Sequence, residues 1–207
     1  AEATLLDEPV LVLESEDLEA TLKPEFAGEV LNYANPSDPF ALLKAALVFR
    51  GIMPGGAEPG VRISDLLRRT GRGLRLRTST CIPRGSGLGT SSILAGAMLQ
   101  CLARLLGHSI SQEQLFDEVL CLEQMITTGG GWQDQVGGLV GGIKLARTRP
   151  GLPQVARIEP LAMTPSLRKR FDERIRLVYT GQRRLAKDLL RAVMGRYMAR
   201  DPEMVAM

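Results

Sequence analysis

Residues 74–105 read Leu74-Arg75-Leu76-Arg77-Thr78, a short connection, Pro83-Arg84-Gly85-Ser86-Gly87-Leu88-Gly89-Thr90-Ser91-Ser92, and then a run with Ile93, Leu94, Ala97, Met98, Cys101, Leu102 and Leu105 as its apolar positions. The first segment alternates with period two, as a half-buried strand does. The last has helical spacing. Between them lie three glycines at 85, 87 and 89. A glycine loop between strand and helix lets backbone N–H groups converge on an anion, and the helix N-terminus adds its positive end. The segment therefore reads as a phosphate loop. It differs from the lysine-bearing P-loop, because no Lys follows the last glycine, and from the dinucleotide fingerprint G-x-G-x-x-G, because residue 90 is Thr. The same glycines would also serve a plain turn that starts a helix.

Downstream, the spacing predicts a second helix over about 111–126, with Leu115, Val119, Leu122 and Ile126 on one row and Phe116, Leu120 and Glu123 on the next. Glu123 thus continues an apolar row, close to a helix C-terminus where the macrodipole disfavours an anion by about 0.3–1 kcal/mol. A carboxylate so placed calls for a cation, unless it is an ordinary exposed helix-end glutamate. Thr90, Ser91 and Ser92 stand in the first turn of the preceding helix, where a hydroxyl can either cap the helix or coordinate a phosphate-bound Mg²⁺. Asp134 lies in a predicted loop after Gly129-Gly130-Gly131, between Gln133 and Gln135. There a carboxylate can orient a substrate hydroxyl and take its proton as it attacks a phosphoryl group, or it can close an Asx turn. Trp132 reads as a loop anchor.

Composition narrows the setting. The chain has 207 residues, of which 44% are hydrophobic and 24% charged. A chain of that size can bury a proper core. No stretch approaches the roughly 18 apolar residues of a membrane span. The formal charge of +3 divides unevenly: residues 1–143 hold 11 Lys/Arg and 17 Asp/Glu, and residues 144–207 hold 15 and 6. Without interleaved aromatics beyond Tyr179 and Tyr197, that basic segment reads as a solvated face rather than a nucleic-acid surface. Cys81, Cys101 and Cys121 have neither disulfide-framework nor zinc spacing, so a reducing, cytoplasmic location is expected. His108, the one histidine, sits in a predicted turn, which argues against histidine-based catalysis.

Outside this region the sequence predicts a buried strand over 9–14, a helix from Asp38-Pro39 to Arg50 and a loop over 54–60. It further predicts a strand over 141–145, a Pro/Arg-rich connection over 147–173, a strand over 175–179 and a basic helix over 183–199. The composition shift near 147 marks the expected domain boundary.

Residues 83–92 resemble the second signature of the GHMP small-molecule kinases. Leu122-Glu123-Gln124 and the stretch Thr128-Gly129-Gly130-Gly131-Trp132-Gln133-Asp134-Gln135-Val136-Gly137-Gly138 resemble the L-fucose kinase branch of that family. Asp38-Pro39-Phe40, Gly141-Gly142-Ile143-Lys144 and Tyr179-Thr180-Gly181-Gln182-Arg183-Arg184-Leu185-Ala186 are similar to it as well. The resemblance implies an α+β fold: a GHMP kinase N-terminal, ATP-binding domain of the ribosomal-S5 domain-2-like type over 1–146, incomplete at its start. A connection over 147–173 and the start of a ferredoxin-like C-terminal domain over 174–207 would follow. It implies ATP as phosphoryl donor, Mg²⁺ held by Ser91 and Glu123, and nucleotide phosphates held by Gly85, Ser86, Gly87, Leu88, Gly89, Thr90, Ser91 and Ser92. Asp134 would be the catalytic residue, and Gly130, Gly131, Gln133, Asp134 and Thr180 would bind the sugar. The implied reaction is transfer of the γ-phosphate to the anomeric hydroxyl of L-fucose. Partners would be the small-molecule sugar and ATP, with no nucleic acid or membrane, and with room for a pyrophosphorylase domain in a longer parent chain.

Two family signatures, a Gly-Trp-Ser-Asp-type sugar-binding segment and a C-terminal glycine-rich segment, are absent from this sequence. These 207 residues alone are therefore expected not to turn over. The alternatives are a heptose-phosphate kinase of the same superfamily, which shares the Gly-Gly-x-Gln-Asp-Gln pattern, and a noncatalytic sugar- or nucleotide-binding module. Trp132 and Thr90 favour fucose, and an intact Ser91, Glu123 and Asp134 set favours an enzyme.

Overall fold

Leu74, Leu76 and Thr78 are buried while Arg75 and Arg77 face solvent, the alternation a pleated strand with one covered face imposes. In the computed structural model this strand is the hub of the fold. The structure describes residues 1–35, 37–68, 71–83, 86–126, 131–151, 155–178 and 186–206, the side chains of 186–191 apart. In chain order the elements are β1 (Glu2–Leu6), β2 (Leu11–Ser15), β3 (Ala20–Leu22), α1 (Ala27–Leu31), α2 (Ala41–Phe49), α3 (Ile63–Arg68), β4 (Gly73–Thr78), α4 (Thr90–Leu105), α5 (Gln112–Met125) and α6 (Gln133–Leu139). They continue as β5 (Lys144–Arg147), β6 (Arg157–Pro160), α7 (Pro165–Arg174), α8 (Ala186–Met198) and α9 (Pro202–Val205).

The first four strands form one sheet in the order β1-β4-β2-β3. β4 runs antiparallel to β1 and parallel to β2, with Leu74 beside Leu11 and Leu76 beside Leu13. These four leucines are buried against the helices. On the outer face Arg75 pairs with Glu14 at 3.4 Å, and Arg77 with Glu16. The parallel β2/β4 pair requires a crossover, supplied by α1, α2 and α3.

α4 packs on the inner face of the sheet, over β1, and α5 and α2 pack against α4 and against each other. α4 contributes Leu94, Ala95, Met98, Leu99 and Leu102 to the buried interior, and α5 contributes Leu115, Val119 and Leu122. Ser111 caps α5, accepting from the Gln114 N–H while the Gln114 side chain accepts from the Ser111 N–H. Arg50, just past α2, ties the three helices together. Its guanidinium donates to both Glu118 oxygens at 3.0 and 2.6 Å and to the Leu99 carbonyl at 3.0 Å.

Several elements depart from the sequence expectation. α2 starts at Ala41, because Asp38 closes a turn instead of capping it: Oδ1 accepts from the Phe40 N–H at 2.8 Å and Oδ2 pairs with Lys44 Nζ at 2.5 Å. The predicted connection over 147–173 holds β6, antiparallel to β5, and the ten-residue α7, capped by Thr164. The predicted strand 141–145 begins only at Lys144. Residues 175–178 form no strand, and Leu177 and Val178 are 78% and 79% exposed. No described strand pairs with them; the Ile175 N–H instead closes the end of α7 on the Phe171 carbonyl at 3.0 Å, and the Ile175 carbonyl accepts from the Arg176 guanidinium at 2.8 Å. No helix among the described residues is long and apolar enough to cross a membrane.

Candidate functional site

The site forms where the N-terminus of α4, the last turn of α5 and the first turn of α6 meet. Glu123 lies in the last turn of α5 and is buried at 6% exposure. Each of its oxygens has a donor. Ser92 Oγ donates to Oε1 at 2.9 Å, and Gln135 Nε2 donates to Oε2 at 2.6 Å. The Ser91 hydroxyl is hydrogen-bonded to the same carboxylate. Burial pushes the Glu123 carboxyl above its ordinary value; the Ser92 and Ser91 hydroxyls pull it down, the charge of Asp134 pushes it up, and the Gln135 amide lowers it. The donors named here are neutral, so desolvation prevails.

Asp134 is exposed and stands in the first turn of α6, not in a loop. The glycine-rich flank that argues for a loop is overridden by packing, since α6 rests on α4. Gly89 has φ +69°, a conformation disfavoured for residues with a side chain, and a Cβ there would lie 3.9 Å from the Asp134 Cβ. Gly138 makes the approach close: a Cβ on it would come within 2.7 Å of Ile93 Cγ1. The two loops read separately in the sequence are thereby one site. Lys144 anchors the far end of α6, its Nζ donating to the carbonyls of Gly137 at 3.2 Å and of Val140.

Of the expected phosphate-loop residues, Ser86, Gly87, Leu88 and Gly89 lead into α4, and Thr90, Ser91 and Ser92 form its first turn. Ser91 is open to solvent while Ser92 is buried, which separates an accessible hydroxyl from an internal one. The hydroxyls of Ser86 and Thr90 are buried without a partner. Gly131 is exposed and Gln133 open to solvent beside Asp134. Gly85, Gly130 and Thr180 lie outside the described residues, as do Arg84 and Tyr179. The sequence reading missed Gln135, wholly buried, and the role of Ser92 as the donor to Glu123. The signal available for Gln135 was its place directly after Asp134 on a helix whose next residue, Val136, is apolar.

Hydroxyl and carboxylate oxygens around a buried acid, with orphaned hydroxyls at a helix N-terminus, suit a hard cation bound together with an anionic ligand. Residues 61–142 match the family described as GHMP kinases N terminal domain. This segment is a GHMP kinase N-terminal domain. The GHMP domain holds the glycine loop, Ser91, Glu123 and Asp134 within its bounds.

The chain is similar to the bifunctional fucokinase/GDP-fucose pyrophosphorylase of Arabidopsis thaliana, 42% identical over 165 residues, which cover 80% of this chain and 15% of that protein. It is also similar to the L-fucokinase/L-fucose-1-P guanylyltransferase of Bacteroides fragilis, 35% identical over 185 residues, covering 89% of this chain and 20% of that protein. The matched part of the chain thus spans a fifth or less of the length of these relatives. Crystal structures of mevalonate kinase, one from Methanococcus jannaschii, superpose with a TM-score of 0.55 at 14% identity over 78% of this chain and 45% of theirs. That likeness carries the GHMP fold alone.

Proposed function

We propose that this GHMP domain belongs to an ATP-dependent sugar kinase that phosphorylates the anomeric hydroxyl of L-fucose. The observation that carries the reading is the convergence of Ser91, Ser92 and Gln135 on the buried Glu123, with Asp134 in the adjoining turn. Similarity to two relatives named for fucokinase activity supports the choice of sugar. Their names join a kinase to a pyrophosphorylase or guanylyltransferase, and the same pairing in this chain's parent is part of the proposal. A cytoplasmic setting, in keeping with the free thiols of Cys81, Cys101 and Cys121, completes it.

The amides of Ser86 to Ser92 and the hydroxyls of Ser86 and Thr90, at the positive end of the sixteen-residue α4, would hold the nucleotide phosphates. Ser91 and Glu123 would hold Mg²⁺, which when bound neutralises charge on the transferring phosphoryl group. Asp134 accepts the proton of the attacking sugar hydroxyl; its exposure leaves it open to substrate, and Gly131 and Gln133 lie beside it to orient the ring. Burial of Ser92 and Gln135 reserves them for the carboxylate rather than for substrate.

The test has two arms. Calorimetric titration of this chain with a non-hydrolysable ATP analogue should show binding that strengthens with Mg²⁺ and weakens in Ser91→Ala. Coupled ADP release by the complete gene product should depend on L-fucose, and not on other hexoses or a heptose phosphate. Absence of nucleotide binding sinks the kinase reading, whereas turnover of another sugar sinks only the choice of fucose.

A further inference from the structure

Gln135 is 0% exposed, and its amide spans two circumstances. Nε2 donates to Glu123 Oε2 at 2.6 Å, while Oε1 is buried without a hydrogen-bond partner. The orientation is dictated by charge, because an amide oxygen turned toward the carboxylate would set acceptor against acceptor. Ser92 holds the other carboxylate oxygen at 2.9 Å, so the plane of the carboxylate is fixed at both ends, and its outward lone pairs remain for the Ser91 side. Gln135 is also the covalent neighbour of Asp134, with Cα atoms about 3.8 Å apart. α6 has only seven residues, too few for its own hydrogen bonds to fix its position. Val136 and Gly138 seat it on the body of the domain, Lys144 ties down its last turn, and the Gln135 amide is the polar tie at its first.

We propose that Gln135 is a positioning residue that aims Glu123 at its cation and, through the same turn, sets Asp134 relative to Glu123. This rests on the kinase reading above. Partners that orient a ligating side chain from behind alter metal affinity by about 10–100-fold when removed.

The experiment uses Gln135→Met, which keeps the shape without the amide, and Gln135→Asn, which keeps the amide but withdraws it by one methylene. Mn²⁺ binding is followed by electron paramagnetic resonance in the presence of a non-hydrolysable ATP analogue, beside nucleotide affinity in EDTA and thermal unfolding. Both variants are expected to bind Mn²⁺ at least about tenfold more weakly, with metal-free nucleotide affinity within about twofold of wild type. Unchanged Mn²⁺ affinity in a folded variant overturns the proposal. So does a parallel loss of Mn²⁺ affinity, nucleotide affinity and thermal stability, or unfolding of both variants, since each assigns Gln135 a structural role. A wild-type chain that binds no Mn²⁺ with nucleotide refutes the kinase reading, and this inference with it.

Discussion

Replacing Glu123 with Gln should make the ligand-free protein more stable and unable to hold the cation proposed above. The wild-type side chain keeps an acid under 6% exposure among neutral donors, and burial is the largest influence raising its carboxyl above the ordinary value. The folded state therefore holds the Glu123 proton more tightly than the unfolded state does. That contribution to stability is complete below the unfolded carboxyl value of about 4.3 and is lost as pH rises through the folded one. Each unit of separation between the two is worth about 1.4 kcal/mol.

The amide introduced by Glu123→Gln would carry no charge at any pH, and it could still accept from Ser92. Its new N–H₂ could donate to the Gln135 oxygen once that side chain turns over, which keeps the contact between the two side chains. Removing a buried charge whose named donors, Ser92, Ser91 and Gln135, are all neutral should stabilise by about 1–3 kcal/mol at pH 7. At about 2–4 °C per kcal/mol for a chain of this length, Tm should rise by several degrees. The assay is thermal unfolding of both proteins, without nucleotide or divalent cation, from pH 4 to 8. The advantage of Glu123→Gln should be small at pH 4 and grow toward neutrality, while Mn²⁺ binding with the nucleotide analogue disappears. A Tm difference that is flat with pH, or that favours wild type at pH 7, would refute the account of a charge held at a cost.

Three other substitutions probe the frame around the site. Gly138→Ala drives a methyl to 2.7 Å from Ile93 Cγ1. It gains about 1 kcal/mol of helix propensity against an overpacking cost of about 1–3 kcal/mol, so Tm should fall by a few degrees; a rise would mean α6 has room to move. Arg50→Met strands Glu118 and the Leu99 carbonyl. It should cost about 3 kcal/mol in denaturant unfolding, most of which Arg50→Met/Glu118→Leu should recover; equal losses in the two would remove the ion pair from the explanation. Asp134→Asn should lower kcat of the complete enzyme about 10²–10⁴-fold with Mg-nucleotide affinity nearly unchanged, and a loss confined to affinity would reassign Asp134 to binding.

Strand β4, helices α4 and α5 and the glycine loop were legible because local pattern and tertiary demand coincide there. Leu74 and Leu76 alternate with arginines, and Met98 and Leu102 of α4 and Leu115, Val119 and Leu122 of α5 carry their apolar rows into the core. Glu123 stood out as an acid on such a row, and Asp134 as a carboxylate among glycines. β1 and β3 escaped notice because they are short and half exposed, defined by the strands they pair with. The strand predicted at 175–179 failed over its described residues for the complementary reason: apolar, β-branched residues do not make a strand without a neighbour to receive their hydrogen bonds.

Residue type and local spacing alone mark which residues are candidates for the chemistry, since they settle where a glycine loop, a helix-end acid and a carboxylate among glycines occur. Only the tertiary structure decided that they form one site. Ser92 meets Glu123 across 31 positions of sequence, and Gln135 meets it across 12. Those contacts exist because α4 and α5 bury their leucines against each other and α6 seats Gly138 on α4. The partners of a buried carboxylate are chosen by which backbones approach closely enough to exclude water, and that is a property of packed surfaces that no local period records.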